Sequence, residues 1–357
     1  MKKPVLFLVS GMGEYAQASS FALYLEKQKI ESLFIVPTQL EKAVKSDNFN
    51  YQLIENNADE IISKINPSYL FLCNSKTVYD LITKKPKADN ILTLDSNWLF
   101  VPEKSPFPVI EFVSSYVTVM PKKVFQAGLK ENGGHYNLPK EILNKITTVG
   151  FIPSGHDYSE KKKQAMRKKY QKSNEKLIFC YFGRGLTFEK YGSKYIDNFF
   201  QAIDIINKDK IKARVIYAGN GINKYNHYEW LETVEWFKTI EEFELTLSSC
   251  DLIVQHHGLG NLPKAIRSQI PAICFVPKVP KTQYHSPAFE IEAFVKAKLC
   301  ESLTNESSKK FIVNQVESLL YNSSCSSIMK KAQKKLFVDG EVKLHQLLIR
   351  LNNDTKK

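Results

Sequence analysis

The chain has no run of eighteen or more apolar residues, which is the length that a membrane-spanning helix needs. Its first apolar segment, Val5–Val9, is too short to cross a bilayer and lacks a signal-peptide cleavage pattern. We therefore expect a buried β-strand there. Internal repeats of solenoid length and low-complexity tracts are also absent, so the sequence indicates neither a repeat protein nor a biased, unfolded segment.

Cysteine is scarce and widely spaced. The spacing matches neither a zinc site nor a disulfide framework. The first four cysteines lie in or beside apolar stretches, so we expect buried, reduced thiols and a reducing, cytoplasmic compartment. The six are Cys73, Cys180, Cys250, Cys274, Cys300 and Cys325.

Negative charge is in deficit, with 50 Lys and Arg against 37 Asp and Glu, a net charge of +13. Such an excess suits nucleic acid, an anionic membrane surface or an anionic small substrate, and does not by itself choose among them. The densest cluster, Lys161–Lys172, predicts an exposed helix. We favour a solvated helical face over a membrane or nucleic-acid patch, and we expect no nucleic-acid partner. Peripheral attachment to the inner face of an anionic membrane stays open as the alternative.

The first half of the chain alternates apolar strands with amphipathic helices, and 357 residues suffice for two domains. Alternation of this kind predicts an α/β fold with a parallel sheet covered by helices. A turn at Gly11–Gly13 separates the first strand from a helix predicted over 16–27. Further strands are predicted at Leu33–Val36, Tyr69–Cys73 and Ile91–Leu94, with helices near Ala58–Lys64 and Thr77–Thr83.

The stretch Thr147–Gly155 combines a short strand with turn formers and precedes the basic helix, so it is the predicted linker. We divide the chain into domains at 1–152 and 153–357. The end of the chain, Ser326–Asn352, predicts two short helices with a kink near Asp339-Gly340. The second half repeats the alternation in strands at Leu177–Phe182, Ala213–Ala218, Leu252–Gln255 and Ala272–Val276, and in helices at Tyr195–Asn207, Leu262–Ser268, Ala288–Lys296 and Lys309–Leu320.

The most informative segment runs from Cys250 to Ile266. A buried strand leads into two histidines and a glycine-bearing turn, after which Asn261 is predicted to be a helix N-cap with Pro263 in the first turn. Backbone N–H groups at such a helix start bind phosphate, and glycines allow the phosphates to approach the backbone. The segment therefore predicts a diphosphate-binding turn.

This pattern resembles the GT-B glycosyltransferases, especially those related to MurG, the UDP-glucuronosyltransferases, and the antibiotic and sterol glycosyltransferases. In that group the strand and histidine-glycine turn are followed by a helix, a proline-flanked strand and a glutamine-containing loop. The corresponding segments here are Asp251–Val254, His256–Gly260, Ile270–Pro277 and Thr282–His285. The order and the spacing both agree, and a weaker likeness extends over most of the chain.

The resemblance implies two Rossmann-like domains whose parallel sheets face each other across a cleft, with the terminal helices packing back toward the first domain. It implies transfer of a sugar from a nucleotide diphosphate-sugar, with UDP or dTDP as the expected carrier, to an acceptor hydroxyl or amine. Relatives of this pattern usually invert the anomeric centre and need no tightly bound metal or other cofactor; the nucleotide-sugar is a co-substrate. The acceptor is a glycan, a lipid-linked sugar or a small molecule.

The resemblance also implies the site residues. Glu14 is the catalytic candidate, where many relatives carry a histidine that serves as general base. A carboxylate can take that role if burial raises its pKa toward neutrality. Gly11 and Gly13 lie on the acceptor side. The donor-binding candidates are Gly183, Arg184, Gly219, Phe237, His256, His257, Gly258, Gly260, Asn261 and Gln283.

Several interpretations stay open. Lys264 stands where many relatives have a ribose-binding glutamate, so the nucleotide is not determined. His256 could be structural, Arg184 could point into solvent, and the aromatic stretch Tyr225–Trp230 could be packing or a stacking surface. The same fold hosts nucleotide-sugar epimerases and hydrolases, and a non-catalytic nucleotide-sugar-binding partner is a further alternative.

Overall fold

The computed structural model describes residues 3–54, 58–73, 78, 81–82, 84–95, 112–122, 125–126, 144–152, 158–182, 186–208, 212–219, 225–234, 237–256, 260–277, 291, 294–296, 298–321 and 340–354. The chain divides into two compact units. The first comprises Met1–Gly155 together with Leu336–Lys357, and the second comprises His156–Lys335. Among the described residues no helix is long and apolar enough to span a bilayer.

The first unit contains a parallel seven-stranded sheet in the order β3-β2-β1-β4-β5-β6-β7. Reversal of the strand order between β1 and β4 is the arrangement of a Rossmann-like sheet. Its strands are β1 (Val5–Leu8), β2 (Ser32–Val36), β3 (Asn50–Leu53), β4 (Tyr69–Cys73), β5 (Asn90–Asp95), β6 (Ser115–Thr118) and β7 (Ile146–Thr148), and its described helices are α1 (Met12–Lys27), α2 (Thr38–Ser46), α3 (Ala58–Ile65) and, from the end of the chain, α9 (Gly340–Asp354).

Aromatic packing holds α1 on one face of this sheet. The ring of Phe7 stacks on Phe34 and on Phe71, with centroids 5.1 Å apart in each pair. From α1, the edge of Phe21 meets Phe7 at 6.3 Å. Because β1 and β4 are buried on both faces, their sequences are continuous apolar runs rather than alternating ones.

The C-terminal helix α9 packs against α1 and β4. The hydroxyl of Tyr24 lies 3.5 Å from Nδ1 of His345, and Tyr69 donates a 2.7 Å hydrogen bond to the carbonyl of Leu348. At the start of α9, Gly340 lies directly against the backbone carbonyl of Phe151, where a Cβ atom would have no room. The end of the chain is therefore an integral part of the first unit.

The second unit repeats the same topology in a parallel six-stranded sheet of order β10-β9-β8-β11-β12-β13. The α/β fold class, with two Rossmann-like parallel sheets, is confirmed. The strands are β8 (Lys176–Tyr181), β9 (Ala213–Ala218), β10 (Leu231–Val234), β11 (Leu252–His256), β12 (Ala272–Phe275) and β13 (Glu301–Leu303), and the described helices are α4 (Glu160–Tyr170), α5 (Leu186–Lys208), α6 (Ile240–Ser248), α7 (Leu262–Arg267) and α8 (Lys309–Tyr321).

The aromatic stretch Tyr225–Trp230 is packing. The ring of Tyr225 meets Phe200 of α5 edge-on at 4.7 Å, and its hydroxyl donates to Asp197. Tyr228 stacks on Trp230 with centroids 4.5 Å apart, against the same core. These contacts favour the structural interpretation of this stretch over a ligand-stacking surface.

The predicted basic helix is α4, and ion pairs fasten it to α6 and to the start of β11. Lys162 and Lys169 bind Glu241 and Glu242 at 3.1 and 2.9 Å. Arg167 donates to the carboxylate of Asp251 at 2.9 Å and to the carbonyl of Ser249 at 2.8 Å. Since α6 was not predicted, the sequence offered no partner for this positive charge.

The boundary of the first predicted helix differs from the structure. The helix predicted over 16–27 begins at Met12, so Gly13 and Glu14 lie in its first turn rather than in a preceding loop. Packing of α1 on the sheet overrides the low helix propensity of glycine.

Most of the helices predicted at Thr77–Thr83 and Ala288–Lys296, and the first of the two predicted terminal helices, lie outside the described residues. The five described cysteines are free and buried; Cys325 is not among them.

Candidate functional site at the carboxyl edges of the two sheets

Each sheet has one point at which its strand order reverses, between β1 and β4 in the first unit and between β8 and β11 in the second. In open parallel sheets, ligands bind outside the carboxyl ends of the strands at this switch point, because the connections leave on opposite faces and open a crevice. The candidate residues were therefore located relative to these two points.

At the first switch point, Glu14 is the third residue of α1, directly after β1. The N-cap residue Gly11 has an extended backbone, with φ −136° and ψ 161°, and makes no side-chain cap. The Glu14 carboxylate folds back over Gly11 and occupies the space where a Cβ would be. A negative charge in the first turn is also favoured by the positive end of the helix dipole.

Burial gives Glu14 an unusual protonation equilibrium. Removal of the carboxylate from water raises its pKa above the ordinary 4.5, and a hydrogen bond from its own backbone N–H offsets part of that rise. Neighbouring Cys73, the last residue of β4, is buried, and both burial and the charge of Glu14 raise the pKa of its thiol. The first switch point therefore holds a carboxylate that is easier to protonate than an ordinary glutamate.

The two acceptor-side glycines have different surroundings. Gly11 is in contact with the Glu14 carboxylate, whereas Gly13 is exposed and a Cβ there would have open space. Both lie at the start of α1, which the sequence predicted as a turn.

Cys73 was not predicted as a neighbour of Glu14. The feature that could have indicated this contact is the strand order, which places the ends of β1 and β4 side by side.

At the second switch point, His256 ends β11 and Tyr181 ends β8. Their rings lie 6.1 Å apart at an interplanar angle of 47°. His256 is partly exposed, whereas the preceding Gln255 is buried and donates a hydrogen bond to the sulfur of Cys274 at 3.4 Å. The strand thus ends in an aromatic, partly polar pair at the position where this fold class binds ligands.

The turn after β11 is described from Gly260 onward. Gly260 is exposed, while Asn261 is buried and occupies the N-cap position of α7 as predicted, although its side chain makes no capping hydrogen bond. Pro263 lies in the first turn, and α7 has six residues. His257 and Gly258 lie outside the described residues, as do Gly183, Arg184 and Gln283, so the placement of these five stays a prediction.

Two other donor candidates lie near the same edge of the second sheet. Gly219 follows β9 with φ +154°, a conformation that favours glycine. A Cβ atom added to Gly219 would lie tightly against the ring of Tyr217. Phe237 is buried, and its described contacts are with Phe179 and Phe243 at 6.1 and 5.4 Å. These are packing contacts, and a contact of Phe237 with a nucleotide base stays a prediction.

Lys264 does not present a free charge. Its Nζ lies 2.9 Å from a carboxylate oxygen of Glu244 on α6, and the two side chains are 11% and 3% exposed. The hydroxyl of Tyr158 approaches the other oxygen of Glu244 at 3.4 Å. Lys264 therefore joins α7 to α6, and the positive charge is neutralised inside the unit. Glu244 was missed from the sequence because α6 carries no family motif, and Tyr158 was missed because it lies before α4, far from α6 in the chain.

Among the described residues, no group of three or more His, Cys, Asp and Glu side chains is arranged to hold a metal ion.

No protein-family model and no curated protein sequence matches this chain. Solved structures do resemble it. The spinosyn forosaminyltransferase SpnP gives a TM-score of 0.63 at 11% identity over 98% of this chain and 100% of SpnP. The glycosyltransferase VinC in complex with dTDP gives a TM-score of 0.59 at 12% identity, over 98% of this chain and 100% of VinC. A UDP-N-acetylglucosamine 2-epimerase gives a TM-score of 0.60 at 14% identity, over 93% of this chain and 91% of the epimerase.

At these identities the likeness shows the fold, which is the GT-B fold of nucleotide-sugar glycosyltransferases, as the sequence predicted. The same fold is shared by the epimerase. The fold alone therefore does not determine the chemistry of this chain, which depends on its own residues.

Proposed function

We propose that this chain is a glycosyltransferase that moves a sugar from a nucleotide diphosphate-sugar to an acceptor hydroxyl or amine. The observation that carries the proposal is the half-buried Glu14 carboxylate, folded back over Gly11 and with a raised pKa, at the switch point of the first sheet. A general base works best when its pKa lies near the operating pH, and burial moves a glutamate in that direction.

The donor occupies the second unit in this proposal. His256 and Tyr181 mark the switch point there, and Gly260 and Asn261 lead into the start of α7. The likeness to VinC, whose structure contains dTDP, supports a nucleotide diphosphate as the carrier. UDP and dTDP are the first candidates for this chain.

The chemistry follows from these assignments. The acceptor oxygen or nitrogen attacks the anomeric carbon while the bond from that carbon to the diphosphate oxygen breaks. The proton of the acceptor passes to the Glu14 carboxylate, and the nucleotide diphosphate leaves with the electron pair. Attack opposite the leaving group inverts the anomeric centre. In this proposal, backbone N–H groups at the start of α7 and the guanidinium of Arg184, whose placement stays a prediction, stabilise the leaving diphosphate.

The proposal is tested by incubating the protein with labelled nucleotide-sugars and a panel of acceptors. A glycosylated product and free nucleotide diphosphate are expected. Glu14→Gln should retain donor affinity and lower turnover by about 10²- to 10⁴-fold, because the base is lost and the donor site is not. Turnover by Glu14→Gln at the wild-type rate across the pH range would remove Glu14 from this role.

A second candidate is a nucleotide-sugar epimerase, and the likeness to a UDP-N-acetylglucosamine 2-epimerase supports it. Inversion of a sugar carbon by proton transfer breaks a C–H bond and forms it again, so the reaction in D₂O would leave deuterium in the nucleotide-sugar. Glycosyl transfer leaves the sugar C–H bonds intact. Mass spectrometry of the nucleotide-sugar after incubation without an acceptor therefore separates the two.

We also place the activity in the cytoplasm. The five described cysteines are free and buried, which supports a reducing compartment. A lipid-linked acceptor, if that is the acceptor class, would bring the enzyme to the inner face of a membrane.

A further inference from the structure

The space above the backbone of Gly11 is filled by another residue of the same helix. A Cβ placed on Gly11 would collide with Oε2 of Glu14 and lie 3.2 Å from Cδ. Contacts this close are not found for real Cβ atoms, so any other residue at position 11 would have to displace the carboxylate. Displacement is feasible because the carboxylate is the end of a flexible side chain.

The backbone itself does not require glycine at this position. Gly11 has φ −136° and ψ 161°, an extended conformation that any residue can adopt. Gly219, by contrast, has a positive φ. The role of Gly11 is therefore to leave room for the Glu14 carboxylate. Gly13 is the matched control position, because a Cβ added there would meet nothing within 4 Å.

We propose that Gly11 is a positioning residue for Glu14. Because Gly11 lacks a side chain, the Glu14 carboxylate can lie against the backbone near the ends of β1 and β4, where it is half-buried and near Cys73. The proposal deepens the function proposed above, since Glu14 is the base there. The placement of the carboxylate, however, can be measured without any activity.

The surroundings of Glu14 define what a displacement would change. The contributions to its pKa are burial and its own backbone N–H, and the neighbouring group that responds to its charge is the thiol of Cys73 on β4. On α1 itself, the next side chain, Tyr15, points elsewhere and donates to Asp47 at 2.8 Å. A carboxylate moved toward water would lose the effect of burial and titrate closer to the ordinary value.

The first test is a carboxyl ¹³C NMR titration of glutamate-labelled protein. In Gly11→Ala the Glu14 pKa should fall toward 4.5, the ordinary value, whereas Gly13→Ala should keep the raised pKa of the wild type. Gly11→Ser is a second variant, because serine is a favoured N-cap and adds the same Cβ. An unchanged Glu14 pKa in both position-11 variants would overturn the proposal.

The second test is a double-mutant cycle on thermal unfolding. Alanine is a poorer N-cap than glycine, so Gly11→Ala carries an intrinsic loss in any background. If the collision with Glu14 is real, Gly11→Ala should lower the unfolding temperature more in the wild type than in a Glu14→Ala background. Equal losses in the two backgrounds would show that Glu14 does not occupy the space above Gly11.

The kinetic prediction depends on the proposed function, so it can be wrong while the positioning role of Gly11 is right. If Glu14 is the base, Gly11→Ala should lower kcat, leave the donor KM nearly unchanged and move the acid limb of the kcat–pH profile to lower pH. A normal profile together with a shifted NMR titration would keep Gly11 as the positioning residue and reject Glu14 as the base. A Glu14 pKa that stays at the wild-type value in both Gly11→Ala and Gly11→Ser would reject the positioning role whatever the kinetics.

Discussion

Lys264 and Glu244 form a buried ion pair that joins α7 to α6, with Nζ 2.9 Å from the carboxylate oxygen. The family resemblance made Lys264 a departure at a nucleotide-binding position, and the structure gives it a partner inside the unit. A lysine with a buried carboxylate at hydrogen-bonding distance is held in place as part of the support for α7. Its substitution should therefore affect stability before it affects nucleotide choice.

Lys264→Met should destabilise the second unit by about 3–5 kcal/mol, because it removes the ammonium that lies 2.9 Å from the buried Glu244 carboxylate. Chemical denaturation measures the change in the free energy of unfolding. Lys45→Met is the matched control, since Lys45 forms an exposed pair with Glu41 and its loss should cost at most about 1 kcal/mol. Recovery of stability in Lys264→Met/Glu244→Leu would confirm the pair, and a loss below about 1 kcal/mol in Lys264→Met would argue against it.

Glu14 should make the stability of the first unit depend on pH. Its pKa is higher in the folded than in the unfolded chain, so the folded protein binds the proton more tightly. The contribution to stability is fully present below the unfolded pKa, near 4.5, and is lost as the pH rises through the folded pKa. Glu14→Gln removes this dependence.

The difference in unfolding free energy between Glu14→Gln and the wild type should therefore shift in favour of the variant as the pH rises above about 4.5. Denaturation curves at a series of pH values check this. A difference that is independent of pH, or one that shifts in favour of the wild type, would mean that the carboxylate is not buried as described.

Gly340→Ala should destabilise the first unit by about 1–3 kcal/mol, because the added Cβ meets the backbone carbonyl of Phe151, which cannot rotate away. Gly13→Ala is the control, since its Cβ has open space and alanine is the better helix former by about 0.5–1 kcal/mol. Thermal unfolding of the two variants should shift in opposite directions. Equal stability of Gly340→Ala and the wild type would mean that α9 does not pack this closely.

Attachment to an anionic membrane through α4 should be weak, because Lys162, Arg167 and Lys169 are already bound to acidic groups of the same unit. Co-sedimentation with anionic and neutral liposomes at low and high salt measures it. Strong binding to anionic liposomes that is lost with salt and falls in Lys161→Glu/Lys168→Glu would show that the exposed lysines of α4 suffice for attachment.

The sequence predicted most of the central strands because they are buried on both faces and apolar, whereas the buried strand β6 (Ser115–Thr118) begins and ends in a hydroxyl residue and was missed. Tyr69–Cys73 begins and ends where an unbroken apolar run begins and ends, and Ala213–Ala218 is apolar except for Arg214. The edge strands were missed for the same reason: β3 (Asn50–Leu53) and β10 (Leu231–Val234) are largely exposed and carry no apolar run.

The candidate site was predictable in its positions but not in its contacts. The motif placed His256 at a strand end and Glu14 near the start of a helix, and both lie at switch points. The burial of Glu14 over Gly11 and the pairing of Lys264 with Glu244 depend on side chains brought together by the fold. Neither spacing nor propensity carries that information.

Nucleotide binding by the intact chain tests the central claim most directly. Thermal shift and calorimetry measure this binding for UDP, dTDP, GDP, ADP and CMP and for their sugars. A ligand that binds only the folded state at 100 times its Kd adds about 2.7 kcal/mol of stability. We expect UDP or dTDP to stabilise the protein and His256→Ala to weaken that binding by about 1–3 kcal/mol. If no nucleotide or nucleotide-sugar stabilises the wild-type chain, the account of a nucleotide-sugar enzyme is wrong.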